Sequence, residues 1–450
     1  MSTELSIRED PAALAENRGC DFPAIFNFGD SNSDTGGLSS AFGALPPPFG
    51  LTFFGKPAGR YSDGRLIIDF IGEIEISVHW RIIESKFRGH VHLPEKDRLL
   101  SGSIDLISTG FTAYLNSVGT NFTHGVNFAT SASTIRQQNN TIFNGGYSPF
   151  SLDVQSWQFD QFITRSQEAS KTSGVFKSLL PKEEYFSQAL YTFDIGQNDI
   201  TAGLFAGLDI EQTKAAFPDI LYKFSQVVKN VYWQGGRYFW IHNTGPLGCL
   251  PYIMNRLLIR APQVDSLGCA TPFNEIAEYF NVKLKATVEQ LRKELPSAAF
   301  TYVDVYSVKY DLIHNANKYD LLCIQGVTLS PMRVKVRTSR TMAAALFVAH
   351  PKSHFGNIVR KRLGFEKPLI ACCGYGGKYN YNRQVSCGYN IVVNGTQFPI
   401  GNSCRNLSDR VNWDGIHYTE AANKFVFDRI VNGAFSDPPI PVRMACQNKA

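Results

Sequence analysis

Four short apolar runs punctuate the chain, each ending in a cluster of glycine and small polar residues. They are Ala24–Phe28 (AIFNF) before GDSNSDTGG, Leu190–Ile195 (LYTFDI) before GQND, Tyr238–His242 (YFWIH) before NTGPLG, and Phe300–Val305 (FTYVDV) before YSVKYD. Runs this short and nearly continuous predict strands buried on both faces. Between them, apolar residues recur at helical spacing. Ile220, Leu221, Phe224, Val227, Val228 and Val231 make one stripe; Ile276, Phe280, Leu284, Val288, Leu291 and Leu295 make a longer one. Buried strands alternating with amphipathic helices predict a parallel sheet covered on both faces, with ligands bound beyond the carboxyl ends of the strands. The polar clusters stand at those ends, where an enzyme would place its site.

Two segments, 73–110 and 321–363, break the pattern and hold five of the nine histidines, among them His90 and His92. Segments of this length without internal structure are uncommon in compact domains. They read either as translated introns, with residues 1–19 as a wrong start, or as genuine surface insertions. His90 and His92 have no carboxylate or cysteine set around them that would complete a metal site, so no metal and no cofactor is expected.

Composition sharpens this picture only in places. Of 450 residues 44% are hydrophobic and 18% charged, which fits a folded core and excludes a disordered chain. No apolar stretch approaches the roughly 18 residues of a membrane span. The net charge of +5 raises the question of nucleic acid, but eight Lys/Arg and no acid fall within 321–363, and the chain outside the two odd segments is slightly acidic. A basic excess confined to one segment is not a binding face, so no nucleic-acid partner is expected. Nine cysteines include no CxxC, and the group from Cys372 to Cys404 points to disulfides. Sequons at Asn121, Asn139, Asn394 and Asn406 add to the case for a secreted glycoprotein, although MSTELSIREDPAALAENRG has no apolar core and does not read as a signal peptide.

The chemistry concentrates in four of the polar clusters. Ser31, in Gly29-Asp30-Ser31-Asn32, directly follows an apolar strand, where a sharp turn would expose its hydroxyl at the sheet edge. A serine nucleophile needs a base, and the base an orienting acid. Asn412-Trp413-Asp414-Gly415-Ile416-His417 supplies both within one turn, ahead of a helix suggested by Ala422, Phe425, Val426 and Ile430. His124, His242 and His314 are competing bases without a carboxylate at comparable spacing. For an oxyanion hole, the Ser31 N–H could be joined by the backbone N–H of Gly125 and the side-chain amide of Asn198. Asp30 and Asp34 read as turn and helix-start residues, and Arg65 as structural. Taken singly, each motif is more often an ordinary loop or cap.

Together, in this order, they resemble the plant GDSL esterase/lipase family of the SGNH hydrolases. The text that carries the likeness is FNFGDSNSDTGG, RYSDGRLIIDF, GVNFATSAST, FDIGQND, YFWIHNTGPLGCLPY, CCGYGGKYNYN and VNWDGIHYTEAANK, spread from Cys20 to about Pro439. The resemblance implies a single domain over 20–439, a three-layer α/β/α sandwich with a central parallel, flavodoxin-like sheet. It also implies Ser31 as nucleophile, His417 as base, Asp414 as its partner, and Ser31, Gly125 and Asn198 as the oxyanion hole. The implied activity is cofactor-free hydrolysis of carboxylic esters through an acyl-serine. The absence of an apolar lid helix leans toward short acyl or acetyl groups on glycosides, cell-wall sugars or lipids. The alternatives are a non-catalytic carbohydrate-binding or defence-related wall protein on the same scaffold, or an inactive product of faulty gene prediction.

Overall fold

The computed structural model describes residues 19–73, 111–139, 146–172, 174–319 and 364–447. The N-terminal segment 1–18 and nearly all of the two odd segments lie outside the described residues.

Five strands, β1 (Ile25–Gly29), β2 (Gly125–Asn127), β3 (Leu190–Asp194), β4 (Tyr238–His242) and β5 (Ala299–Val303), form a parallel sheet in the order β2-β1-β3-β4-β5. Each is buried almost throughout, as the unbroken apolar runs require. A short sixth strand, β6 (Ser436–Asp437), adds antiparallel to β5, with Ser436 opposite Val303. The five-stranded centre is parallel as the sequence predicts, and this edge strand makes the whole sheet mixed. The reason is local: the chain returns from the last helix and closes the exposed edge with two residues.

The main helices are α1 (Leu152–Lys171), α2 (Gln197–Phe205), α3 (Phe217–Trp233), α4 (Thr271–Glu294), α5 (Val305–His314) and α6 (Glu420–Ile430). The α3 and α4 stripes read from sequence are buried as expected. α1, α3 and α4 pack side by side, while α5 pairs with α6, so helices cover both faces of the sheet. Between them Phe26, Phe28, Phe159, Tyr191, Phe193 and Phe239 form stacked and edge-on ring pairs. One continuous apolar core runs from Cys20 to Ala445, and a disulfide between Cys20 and Cys446 ties its two ends together.

The strand order reverses direction between β1 and β3, and a crevice opens beyond the strand ends at such a switch point. β1 leads there into Ser31, and β3 into Asn198. Below the crevice, Arg60 grips Asp69 through Nε and Nη2 at 3.2 and 2.7 Å, with both side chains buried. Asp69 also accepts from the Leu66 and Phe111 N–H groups. Asp69→Ala strands a buried guanidinium and should cost about 3–5 kcal/mol in a urea melt, whereas loss within 0.5 kcal/mol would show the pair to be marginal.

Candidate active site

Ser31 is buried in the turn that leaves β1. The turn is built from hydrogen bonds the sequence did not reveal. The Gln155 amide, reaching from α1, accepts from the Gly29 N–H at 2.9 Å and donates to the Gly29 carbonyl at 2.8 Å. No side chain fits at Gly29, because a Cβ there would lie 2.6 Å from the Asp194 carbonyl. Asp34 then gathers the following loop. Its Oδ1 accepts from the Gly36 and Gly37 N–H groups, and its Oδ2 from Leu38 N and from Ser131 N and Oγ. Burial pushes the Asp34 carboxyl up, and these donors pull it back. Asp34 thus holds the N–H groups that open a short helix, Gly37–Phe42, as the sequence reading expects, and it also joins two loops.

Beneath the turn lies a polar seam. Asn27 donates to Asn127 at 2.7 Å and accepts from Thr192 at 2.7 Å, while Asn127 donates to the Ser33 carbonyl at 2.6 Å. The residues interrupting the apolar strand runs, Asn27, Asp194 and His242, were the available signal of this seam and its neighbours.

The Asp414–His417 loop closes across the crevice. Asp414 Oδ2 receives His417 Nδ1 at 2.7 Å, and Oδ1 accepts from the Ile416 and His417 N–H groups at 3.0 and 2.9 Å. Burial would raise this carboxyl, but the His417 charge and these bonds hold it below the usual carboxylate range. Gly415 has φ 98°, a left-handed turn that lets the loop double back. His417 Nε2 is buried and bonds to no described group, while the Tyr61 ring lies 5.2 Å from the imidazole. Burial and Asp194 push the carboxyl of Asp30, next to Ser31, up to about 7, against the Asn32 bonds and the His417 charge, which lower it.

Disulfides brace this loop from outside. Cys372 and Cys373 donate their N–H groups to the carbonyls of Asn412 and Trp413, and are bridged to Cys404 and Cys387. Cys249–Cys269 forms a fourth bridge, and Cys323 lies outside the described residues. No group of three or more His, Cys, Asp or Glu suited to a metal occurs among the described residues; His90 and His92 lie outside them.

A scan against protein families matches residues 25–430 to the GDSL-like lipase/acylhydrolase model. The chain belongs to this family. It is 48% identical to the GDSL esterase/lipase ACHE of Zea mays over 98% of this chain and 92% of that one. A GDSL esterase/lipase of Arabidopsis thaliana is 49% identical over 95% and 93% of the two chains. A third relative, named alpha-L-fucosidase 3 of Arabidopsis thaliana, is 46% identical over 92% and 91%.

Within this GDSL hydrolase the oxyanion assignment needs one correction. Gly125 pairs with Ile25 at the start of β1, the far end from Ser31, and its N–H donates to the Phe122 carbonyl at 3.0 Å. Its φ of 109° and the approach of Ile25 explain the glycine structurally. The loop that does reach the site is Thr130–Ser133, which β2 feeds. Thr130 N–H bonds the Gly29 carbonyl, Ser131 bonds Asp34, and the Ser133 carbonyl accepts the Asn198 amide at 2.9 Å. Between them Ala132 has φ 62°, and neither its N–H nor that of Ser31 donates to any described group. Sequence carried no mark of Ala132, since nothing local signals a left-handed alanine. Ala132→Gly removes the Cβ penalty of that conformation and should stabilise the protein by about 1 kcal/mol; a lower melting temperature would show that the Cβ is needed for packing.

Proposed function

We propose that the protein is a secreted serine carboxylic ester hydrolase in which Ser31, His417 and Asp414 act as a triad. The observation that carries this reading is His417 itself. Its Nδ1 is committed to a buried, ionised Asp414, and its Nε2 is buried without a partner among the described residues, which we read as the position that serves the Ser31 hydroxyl. Fixed this way, the ring can take the Ser31 proton through Nε2 as the hydroxyl attacks an ester carbonyl, and later return it to the leaving alcohol. Water then repeats the sequence on the acyl-serine. The developing oxyanion would be met by the N–H groups of Ser31 and Ala132 and by the Asn198 amide, whose other N–H already holds the loop carbonyl in place.

Names of the relatives place the chemistry at carboxylic esters, and the substrate is read as a small acyl or acetyl ester of a sugar or lipid alcohol. Glycoside cleavage, as the fucosidase name of one relative says, typically runs on two carboxyl groups. Here both oxygens of Asp414 are occupied by the His417 loop, which favours the ester reading. Secretion is supported by four disulfides and by the exposure of Asn121, Asn139, Asn394 and Asn406 as glycan acceptors. No helix among the described residues is long and apolar enough to cross a membrane.

Intact-mass labelling with a fluorophosphonate tests the assignment. One adduct is expected, absent in Ser31→Ala; a persistent adduct would move the nucleophile elsewhere. Asn198→Ala should lower kcat by roughly 100-fold with a smaller change in KM, and an unchanged kcat would remove the amide from the site. Because His417 accepts a proton only when neutral, kcat/KM on an aryl acetate should fall as the pH is lowered; a flat acid side would exclude it as the base.

A further inference from the structure

Behind the nucleophile turn lies a second set of charged groups that the triad does not use. Lys309, on α5, is buried with 3% exposure. It lies 4.7 Å above the ring of Tyr418, the residue after His417. It reaches that position under the loop that follows β4. A Cβ on Gly245 would come within 3.0 Å of the Lys309 Cδ and 3.6 Å of Nζ, so the lysine packs closely against residue 245.

The groups facing the ammonium come from three elements. Asp194, at the end of β3, is its main attraction, and Asp30, between β1 and Ser31, is the second. His242, at the end of β4, faces Asp194. Its Nδ1 lies 3.0 Å from Asp194 Oδ2, and its Nε2 receives the Trp240 indole N–H at 3.1 Å. An indole nitrogen only donates, so His242 accepts that bond at Nε2 while its Nδ1 faces the carboxylate. Burial would raise the Asp194 carboxyl, but the His242 bond and charge, with Lys309 adding to them, hold it below the usual carboxylate range. Asp30 Oδ1 is held by Asn32, while its Oδ2 is buried without a partner, as is the Tyr418 hydroxyl. Burial, reinforced by Asp194, pushes Asp30 up to about 7, whereas burial alone drives the Lys309 ammonium down against both carboxyls. Such a cluster is costly unless its charges balance.

We propose that Lys309 is a positioning residue of this site, its ammonium balancing Asp194 and Asp30 and so holding the Ser31 turn and the His417–Tyr418 segment under a near-neutral field. The proposal rests on the hydrolase reading above. It acts through charge: an uncompensated carboxylate behind the turn would stabilise protonated His417 and withhold the base. An uncompensated ammonium would do the reverse.

The test is the pH dependence of kcat/KM on an aryl acetate for the full chain, Lys309→Met, Asp194→Asn and the double variant, with circular dichroism confirming the fold of each. Lys309→Met should move the acid limb upward and Asp194→Asn downward, each on the order of half a pH unit or more. The double variant should return the limb close to that of the unaltered chain, with kcat above that of Lys309→Met. Limbs that stay in place in the folded variants, or single-variant shifts in the same direction, would overturn the proposal and leave Lys309 a packing residue. Should Lys309→Met not fold, the downward shift in Asp194→Asn and the recovery of folding in the double variant decide; absence of either counts against it. Fluorophosphonate labelling of the unaltered chain is the separate control. No adduct there would sink the hydrolase reading itself, whatever the lysine variants do.

Discussion

Burying a polar turn at the end of a strand is the constraint on which the site depends. A serine that attacks from the sheet edge takes its neighbouring backbone out of water, and each N–H and carbonyl removed must find a partner inside the protein. The turn after β1 meets this with side chains drawn from far along the sequence. Gln155 pairs with both backbone groups of Gly29, Asp34 collects donors from its own loop and from Ser131, and Asn127 bonds the Ser33 carbonyl. Two backbone donors stay outside this arrangement, at Ser31 and Ala132, and these are the donors the proposed mechanism calls on.

The histidine loop faces the same constraint and meets it differently. It is short and curved, and little of it could hold its shape in isolation. Asp414 organises it from within by accepting two backbone N–H groups as well as the imidazole. From outside, Cys372 and Cys373 bond its carbonyls and are each tied by a disulfide, while Tyr252 donates to the Gly415 carbonyl. Trp413, fully buried against Phe49, anchors the loop by packing. Oxidative cross-linking thus bears on the base as well as on global stability, which links the expected compartment to the chemistry.

Electrostatics connects the two loops through the interior. Asp30 is the group through which the proposed coupling runs, since it attracts the Lys309 ammonium and is itself lowered by the His417 charge. In a buried site a single unit charge shifts a proton equilibrium far more than at the surface.

Much of this was legible along the chain because it is local. Nearly continuous apolar runs located β1, β3, β4 and β5 to within a residue or two, since burial on both faces leaves room for few polar residues. Helical stripes located α3 and α4, and the spacing of Asp414 and His417 sufficed for their contact because three residues close one turn. What the sequence could not determine depends on which distant segments meet. Gly125 looked like an oxyanion donor until strand register placed it at the wrong end of β1. Ala132 takes its left-handed turn because Ser131 and Ser133 are held by Asp34 and Asn198, not through any preference of alanine. The pairing of the disulfides, the clamp of Gln155 on Gly29 and the meeting of Lys309 with Asp194 were likewise decided only when the sheet was assembled. Hydrophobic pattern and short-range spacing are properties of neighbours in sequence. Proximity across more than a hundred residues is set by packing and by the need of buried polar groups for partners.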